Sequence, residues 1–254
     1  MLSMDLQSDA FAGEISSRLA RMRNETYRGE TWPEGCYGSA AAWVVFVGPS
    51  PGGGSKSSPD RGRVASGGTP LWDSDFLGPI ERWSNGFRAS MKPLVETIVG
   101  LPFEKGSAKV YAFVNFHWQQ NPDASLVPMQ GMTSGAHDAI AVLSAIQPRL
   151  IVPMEKRSDR LLRESLLGVG YSTEGPRQCT AHVDINGRGR AHRQMAGYVV
   201  SGGGLLANCI VVRSPQHPAR IFDSKYAFRC GRAIRSFASQ LASGHTCVTI
   251  DERA

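Results

Sequence analysis

The short loop at 48–52, Gly-Pro-Ser-Pro-Gly, contains the first residues whose types and spacing could do chemistry. Its letters fit the nucleophile elbow of serine hydrolases, in which Ser50 would attack a carbonyl group. That elbow uses the backbone N–H of the residue after the serine as an oxyanion donor, and Pro51 has none, which disfavours a hydrolase. The glycine-rich run 52–57 suggests a phosphate-binding loop, but Ser55 stands directly before Lys56, where that motif requires glycine.

Two further polar side chains follow apolar runs that are typical of buried strands. Asn115 ends the run 109–114, and His217 follows the run 209–212 within the sequence Ser-Pro-Gln-His-Pro-Ala-Arg. Ligands of open α/β sheets bind beyond the carboxyl ends of the strands, so both residues are candidates for one site. Each also has an ordinary explanation, because asparagine often caps a loop and a histidine beside proline can simply face solvent.

The elements that must position these residues are read from periodicity. Four runs predict buried strands: 43–47, 109–114, 150–152 and 209–212. Five segments predict helices: 8–23, 91–99, 134–146, 158–167 with Ser158 as its cap, and 225–241. Strands that alternate with helices predict an α/β protein with a parallel sheet covered on both faces.

The chain of 254 residues is long enough for a single α/β domain, which we predict over 1–254. An N-terminal helical extension is expected at about 1–40. A hairpin insertion is expected at about 180–208, because Asn-Gly at 186–187 is a typical hairpin turn. The run 52–68 contains hardly a core residue, which predicts a functional loop or lid rather than a linker.

The charge of the chain is unevenly distributed. It has 28 basic and 22 acidic residues, a net charge of +6. The stretch from Arg213 to Arg235 alone has six basic residues against one acid, Asp223. Such a stretch is either a solvated helix face or a surface that contacts phosphates.

Composition and the N-terminus indicate where the protein works. The longest apolar run, 40–47, has eight residues, whereas a membrane span needs roughly 20, so no membrane association is expected. The first residues lack the basic start and apolar stretch of a secretory signal, which predicts a cytoplasmic protein. The five cysteines form no Cys-x-x-Cys pair, so we expect free thiols and neither zinc nor an iron–sulfur cluster.

Taken in order, the motifs at the ends of the predicted strands resemble those of the uracil-DNA glycosylase superfamily. The first strand ends in Gly-x-x-Pro-Gly at 48–52, and the second ends in Asn115. The third begins with Pro-basic-apolar at 148–150, and the last leads into the His-Pro motif at His217. The resemblance covers about 43–241. It implies a three-layer α/β/α sandwich around a four-stranded, mainly parallel sheet.

The resemblance implies a DNA glycosylase, which flips a damaged or modified base out of DNA and hydrolyses its N-glycosidic bond to leave an abasic site. By family position, Asn115 would read the edge of the flipped base. His217 would donate a hydrogen bond to the departing base as it gains negative charge. Ser50 would hold the attacking water, and Trp72 or Phe76 would form an aromatic platform for the base.

The same resemblance implies how the protein meets DNA. Pro218 and Arg220 belong to a loop that would press on the DNA backbone, with Arg220 on a phosphate. Lys225 follows in the basic stretch and would add a further contact. The expected partner is double- or single-stranded DNA, bound by a monomer that uses no cofactor and no metal.

The first motif departs from the family pattern. Active members commonly place Asp, Asn or Glu there to position water, whereas this chain has Pro49 and Ser50. The Ser50 hydroxyl can still orient a water if bond cleavage runs ahead of attack. A carboxylate from Asp60, Asp73 or Asp75 is the other source of water activation. The alternative function is a catalytically silent nucleic-acid-binding protein with the same fold.

Overall fold

The structure, a computed structural model, describes residues 36–38, 42–49, 85–102, 110–117, 127–173, 177–184, 190–221, 223–245 and 250–252. Several predictions fall outside these residues: the helix at 8–23, the loop at 52–68, the water-holding Ser50, the aromatic candidates Trp72 and Phe76, and the carboxylates Asp60, Asp73 and Asp75.

The described residues alternate between strands and helices. The strands are β1 (Cys36–Gly38), β2 (Val44–Gly48), β3 (Tyr111–Asn115), β4 (Leu150–Pro153), β5 (Ser172–Thr173), β6 (Arg177–Asp184), β7 (Arg190–Ser201), β8 (Ile210–Val212) and β9 (Ile250–Glu252). The helices in the same part of the chain are α1 (Asn85–Val99), α2 (Met129–Ile146), α3 (Lys156–Gly168) and α4 (Ser224–Ala242). The predicted α/β class is confirmed.

The strands form a mixed sheet in the order β1-β3-β2-β4-β8-β7-β6-β9, with β5 paired to β7. The neighbours β3, β2, β4 and β8 pair in parallel, and Gly48 lies opposite Asn115 in this register. Strand β1 joins β3 in antiparallel orientation, and β7 joins β8 in the same way. Strands β6 and β7, which lie in and around the stretch where a hairpin insertion is predicted, pair antiparallel from Arg177↔Gly197 to Asp184↔Arg190.

The sheet is covered by helices on both faces, because its central strands alternate apolar residues between two cores. In β2, Val44 and Phe46 belong to a core with α1 and α4. Val45 and Val47 point the other way, into a core with α2 and α3. All four side chains are fully buried, which is why the strand reads as a continuous apolar run.

The helices begin earlier than periodicity predicts. Helix α1 begins at Asn85 rather than at 91, and α2 begins at Met129 rather than at 134. The prediction that Ser158 caps α3 is wrong. The chain after β4 turns within two residues, so Glu155 takes the cap position and Ser158 lies buried inside the first turn.

Two of the five cysteines, Cys209 and Cys230, have described side chains, and both are buried thiols outside any disulfide. Burial raises the pKa of the Cys209 thiol to about 12, so it stays protonated and unreactive near neutral pH. Of the helices that the structure describes, none has the length and apolar content that crossing a membrane requires.

Candidate functional site

The connections between the parallel strands define a switch point at the carboxyl edge of the sheet, which we call the candidate crevice. Strands β2 and β4 are neighbours, but α1, which precedes β3, lies on one face and α3, which follows β4, lies on the other. Open α/β sheets bind ligands beyond neighbouring strands whose connections leave toward opposite faces, so a ligand is expected at this point. Gly48 and Pro49 lie at the end of β2 on one side of the candidate crevice, and Met154 follows β4 on the other.

Asn115 lies at this crevice from the neighbouring strand β3. Its side chain is 2% exposed, and its amide nitrogen Nδ2 has no hydrogen-bond partner among the described residues. A Cβ atom on Gly48 would come within 2.5 Å of Asn115 Oδ1 and 2.6 Å of Met154 Cε. Glycine at position 48 is therefore what admits the asparagine side chain over the end of β2.

The segment after β3 continues the pairing beyond the strands and brings a residue that sequence reasoning missed. Phe116 N–H donates to Gly48 O at 3.1 Å, and His117 N–H donates to Pro49 O at 2.8 Å. The half-buried His117 ring packs against the first turn of α2, because a Cβ on Gly131 would lie 2.7 Å from its Cδ2. The signal was present in the sequence, since His117 is only two residues beyond Asn115.

The loop that carries His217 is held by hydrogen bonds on both sides. Ser214 N–H donates to Pro153 O at 2.9 Å, and the Ser214 hydroxyl donates to Gln216 O at 2.7 Å. The Gln216 side chain donates to Arg220 O and accepts from the Tyr226 hydroxyl at 3.2 Å. Gln216 therefore ties the loop to the turn at Pro218–Arg220 and to α4, a role that the motif alone did not predict.

His217 is half-buried in this loop and uncharged near neutral pH. Burial lowers its pKa to about 4, and the positive charge of Arg220 adds to the shift. A neutral imidazole can donate one hydrogen bond but has no extra proton to give away. The arrangement therefore favours stabilisation of a developing negative charge by a hydrogen bond over proton transfer.

Asn115 and His217 lie at the same edge of the sheet, but the strands that lead to them, β3 and β8, are not neighbours. Strands β2 and β4 separate β3 from β8, so their axes are about 14 Å apart at about 4.8 Å per strand. The crevice between β2 and β4 lies in the middle. Among the predicted DNA contacts, Pro218 is buried, whereas Arg220 and Lys225 are exposed.

A buried ion pair lies behind the His217 loop, and sequence reasoning missed it. Arg213 Nη1 and Asp159 Oδ2 are 3.2 Å apart, with side chains only 15% and 12% exposed. Burial raises the pKa of Asp159, and Arg213 opposes that rise. Arg213 belongs to the basic stretch of the sequence, but this pairing occupies it inside the protein.

Comparison with known proteins finds neither a family model nor a curated protein that matches this chain. The fold and the site define an α/β protein with a candidate ligand site at the carboxyl edge of its parallel strands.

Proposed function

We propose that the protein is a DNA glycosylase that removes a damaged or modified base. We also propose that its four parallel strands and their helices form the three-layer sandwich of the uracil-DNA glycosylase superfamily, which the strand-end motifs resemble. The observation that carries the proposal is the buried amide of Asn115, whose Nδ2 has no partner among the described residues. A buried donor without an acceptor costs about 1–3 kcal/mol, and a ligand that supplies an acceptor recovers that loss.

A flipped base supplies the matching chemistry. Bases present carbonyl oxygens and ring nitrogens on their Watson–Crick edge, and an amide offers both a donor and an acceptor to read them. The Asn115 amide lies over Gly48, where the missing side chain leaves room for it. The crevice at the ends of β2 and β4 then holds the base, with Met154 as an apolar contact.

The reaction follows from the position and charge state of His217. When the bond between the sugar C1′ and the base nitrogen breaks, its electron pair moves to the base. The neutral His217 ring donates a hydrogen bond to that developing anion. A water oriented by Ser50 adds its oxygen to C1′, and the proton that water loses passes to solvent or to the departing base.

DNA binding rests on the residues next to His217. Arg220 is exposed at the end of the Pro218–Arg220 turn, and Lys225 is exposed in the first turn of α4. Both are suited to phosphate contacts, which would fix the strand while the base enters the crevice.

The second candidate is a nucleic-acid-binding protein without catalytic activity. It is favoured by the motif at 48–52, which contains no carboxylate or amide to activate water. The buried acid Asp159 lies outside that motif and is already paired with Arg213, so it is not available to activate water. Such a protein would keep the crevice and the basic surface but release no base.

An assay for base release separates the two candidates. The full chain is incubated with single-stranded and duplex DNA that contains a panel of modified bases, and alkaline cleavage then reveals any abasic site. The glycosylase hypothesis predicts cleavage at one or more modified positions. DNA that is bound but never cleaved, across the whole panel, would support the second candidate.

A further inference from the structure

Helix α4 exposes one face that combines cations with an aromatic ring. Lys225, Phe228, Arg232 and Arg235 are exposed, and their spacing of three, four and three residues puts them on one side of the helix. We call these four residues the α4 stripe. Phe228 is 48% exposed in the middle of them, and the stripe is about 15 Å long at 1.5 Å per residue.

The charges of α4 run against the helix dipole. The helix contains no acidic residue, its first turn contains Lys225, and its last turn contains no basic residue. A helix dipole favours anions at the N-terminus, where the N-cap residue Asp223 stands just before the helix, and cations at the C-terminus, so the distribution of cations within α4 does nothing to stabilise the helix. It concentrates positive charge at the N-terminal end, next to the turn that ends at Arg220.

Helix α3 shows what an ordinary solvated face looks like in the same protein. It mixes both signs of charge, and Arg160 Nε lies 3.8 Å from Glu164 Oε1 one turn away. Such alternation is typical of a face that contacts only water. The four residues of the α4 stripe include no acid, and one of them is an exposed phenylalanine.

We infer that the α4 stripe binds a single-stranded DNA segment that leaves the candidate site. The choice of DNA rests on the proposed function. Lys225, Arg232 and Arg235 contact phosphates, and Phe228 stacks on an unpaired base, a combination that single-strand-binding surfaces use. Bases within a duplex are stacked on both faces and cannot use the ring. At about 3.4 Å per nucleotide, the stripe is long enough for about four nucleotides.

The cations of the stripe are tested by salt dependence. Fluorescence anisotropy with a labelled single-stranded oligonucleotide compares the full-length wild type with the double variant Arg232→Gln, Arg235→Gln, which leaves Lys225 in place. Two lost phosphate contacts lower the slope of log affinity against log salt by about 1.4, and affinity at low salt falls by about tenfold. Arg160→Gln removes an exposed arginine from α3 and is the matched control. If the double variant binds no more weakly than this control, the inference is wrong.

The aromatic residue is tested by strand preference. Stacking on one base is worth about 1–3 kcal/mol, so Phe228→Ala weakens single-strand binding by about fivefold or more. Binding to a duplex of the same sequence changes less than twofold. Leu205→Ala, which removes another exposed apolar side chain, is the control. Equal losses for single strand and duplex would overturn the stacking contact.

These outcomes are independent of base release. If the stripe variants lose single-strand binding while the wild type releases no base, the stripe stands and the glycosylase hypothesis fails. If the wild type releases a base while the stripe variants bind single strands normally, the glycosylase hypothesis stands and the stripe inference fails. Binding to phosphatidylserine vesicles without binding to the oligonucleotide would overturn the stripe inference, because the cations would then serve a lipid surface.

Discussion

Two buried polar regions behind the carboxyl edge of the sheet differ in how their polar atoms are satisfied. At the crevice, the neutral amide of Asn115 has a donor without a partner among the described residues. Behind the His217 loop, Asp159 and Arg213 are opposite charges that neutralise one another. Asp159 Oδ1 and the Tyr198 hydroxyl also lack partners among the described residues, but they belong to the surroundings of this ion pair and not to a strand end.

The difference separates a ligand-binding region at Asn115 from a structural region at the Asp159–Arg213 ion pair. Removal of a neutral, unpartnered donor costs the folded protein no hydrogen bond. A ligand that supplies an acceptor to that donor gains a hydrogen bond and binds more tightly. A buried ion pair behaves in the opposite way, because removal of one partner leaves an uncompensated charge. Arg213 also connects directly to Ser214, so the ion pair holds the base of the loop that presents His217.

The largest effect is expected when the ion pair is broken. Arg213→Ala leaves the Asp159 carboxylate buried without a cation, and the free energy of unfolding falls by about 3–5 kcal/mol. The pKa of Asp159 is then raised further. A carboxyl whose pKa is higher in the folded than in the unfolded protein lowers the free energy of unfolding as pH increases. The loss of stability in Arg213→Ala therefore grows with pH above the ordinary pKa of aspartate.

Urea denaturation at several pH values measures this effect. The double variant Arg213→Ala, Asp159→Ala is the control, because it removes both charges and recovers part of the loss. If the double variant loses as much free energy of unfolding as Arg213→Ala and Asp159→Ala together, the two side chains do not interact.

Variants of Asn115 at the crevice are expected to change base recognition more than the free energy of unfolding. Asn115→Ala relieves the cost of about 1–3 kcal/mol for the unpartnered donor, offset in part by the packing that the side chain loses, so the free energy of unfolding does not fall. Asn115→Asp puts an acceptor where the base needs a donor, and weakens base recognition by about 1–3 kcal/mol. Thermal melting and base release on the modified-base panel test the pair of variants. A large fall in melting temperature for Asn115→Ala, with base choice unchanged, would make Asn115 a structural cap.

A further effect on stability is expected from the protonation of His217. Its folded pKa of about 4 lies below the ordinary 6.5, so the unfolded chain binds a proton that the folded protein does not. Stability is therefore intact above pH 6.5 and falls by about 3 kcal/mol as pH drops towards 4. Denaturation of His217→Gln should lack this component, whereas the exposed-histidine variant His137→Gln should keep it. A wild-type curve that matches His217→Gln would show that His217 titrates normally.

The strand ends were predictable because their signals are local. Asn115 and the His217 loop follow apolar runs, and such runs become buried strands wherever helices cover both faces of a sheet. The partners of these residues were not predictable. Met154 and Asn115 both approach Gly48 only because β2 lies between β3 and β4, and Asp159 meets Arg213 across 54 positions of the chain. Sequence spacing contains no information on such contacts, because strand order sets them.

The most direct test of the glycosylase hypothesis is single-turnover base release by wild type, His217→Ala and His137→Ala. Loss of the donor to the departing base slows release by about a hundredfold or more, while DNA affinity changes little. His137→Ala should match the wild type, and Ser50→Ala should slow release less than His217→Ala. Release by His217→Ala at the wild-type rate, or no release by the wild type from any modified DNA, would contradict the hypothesis.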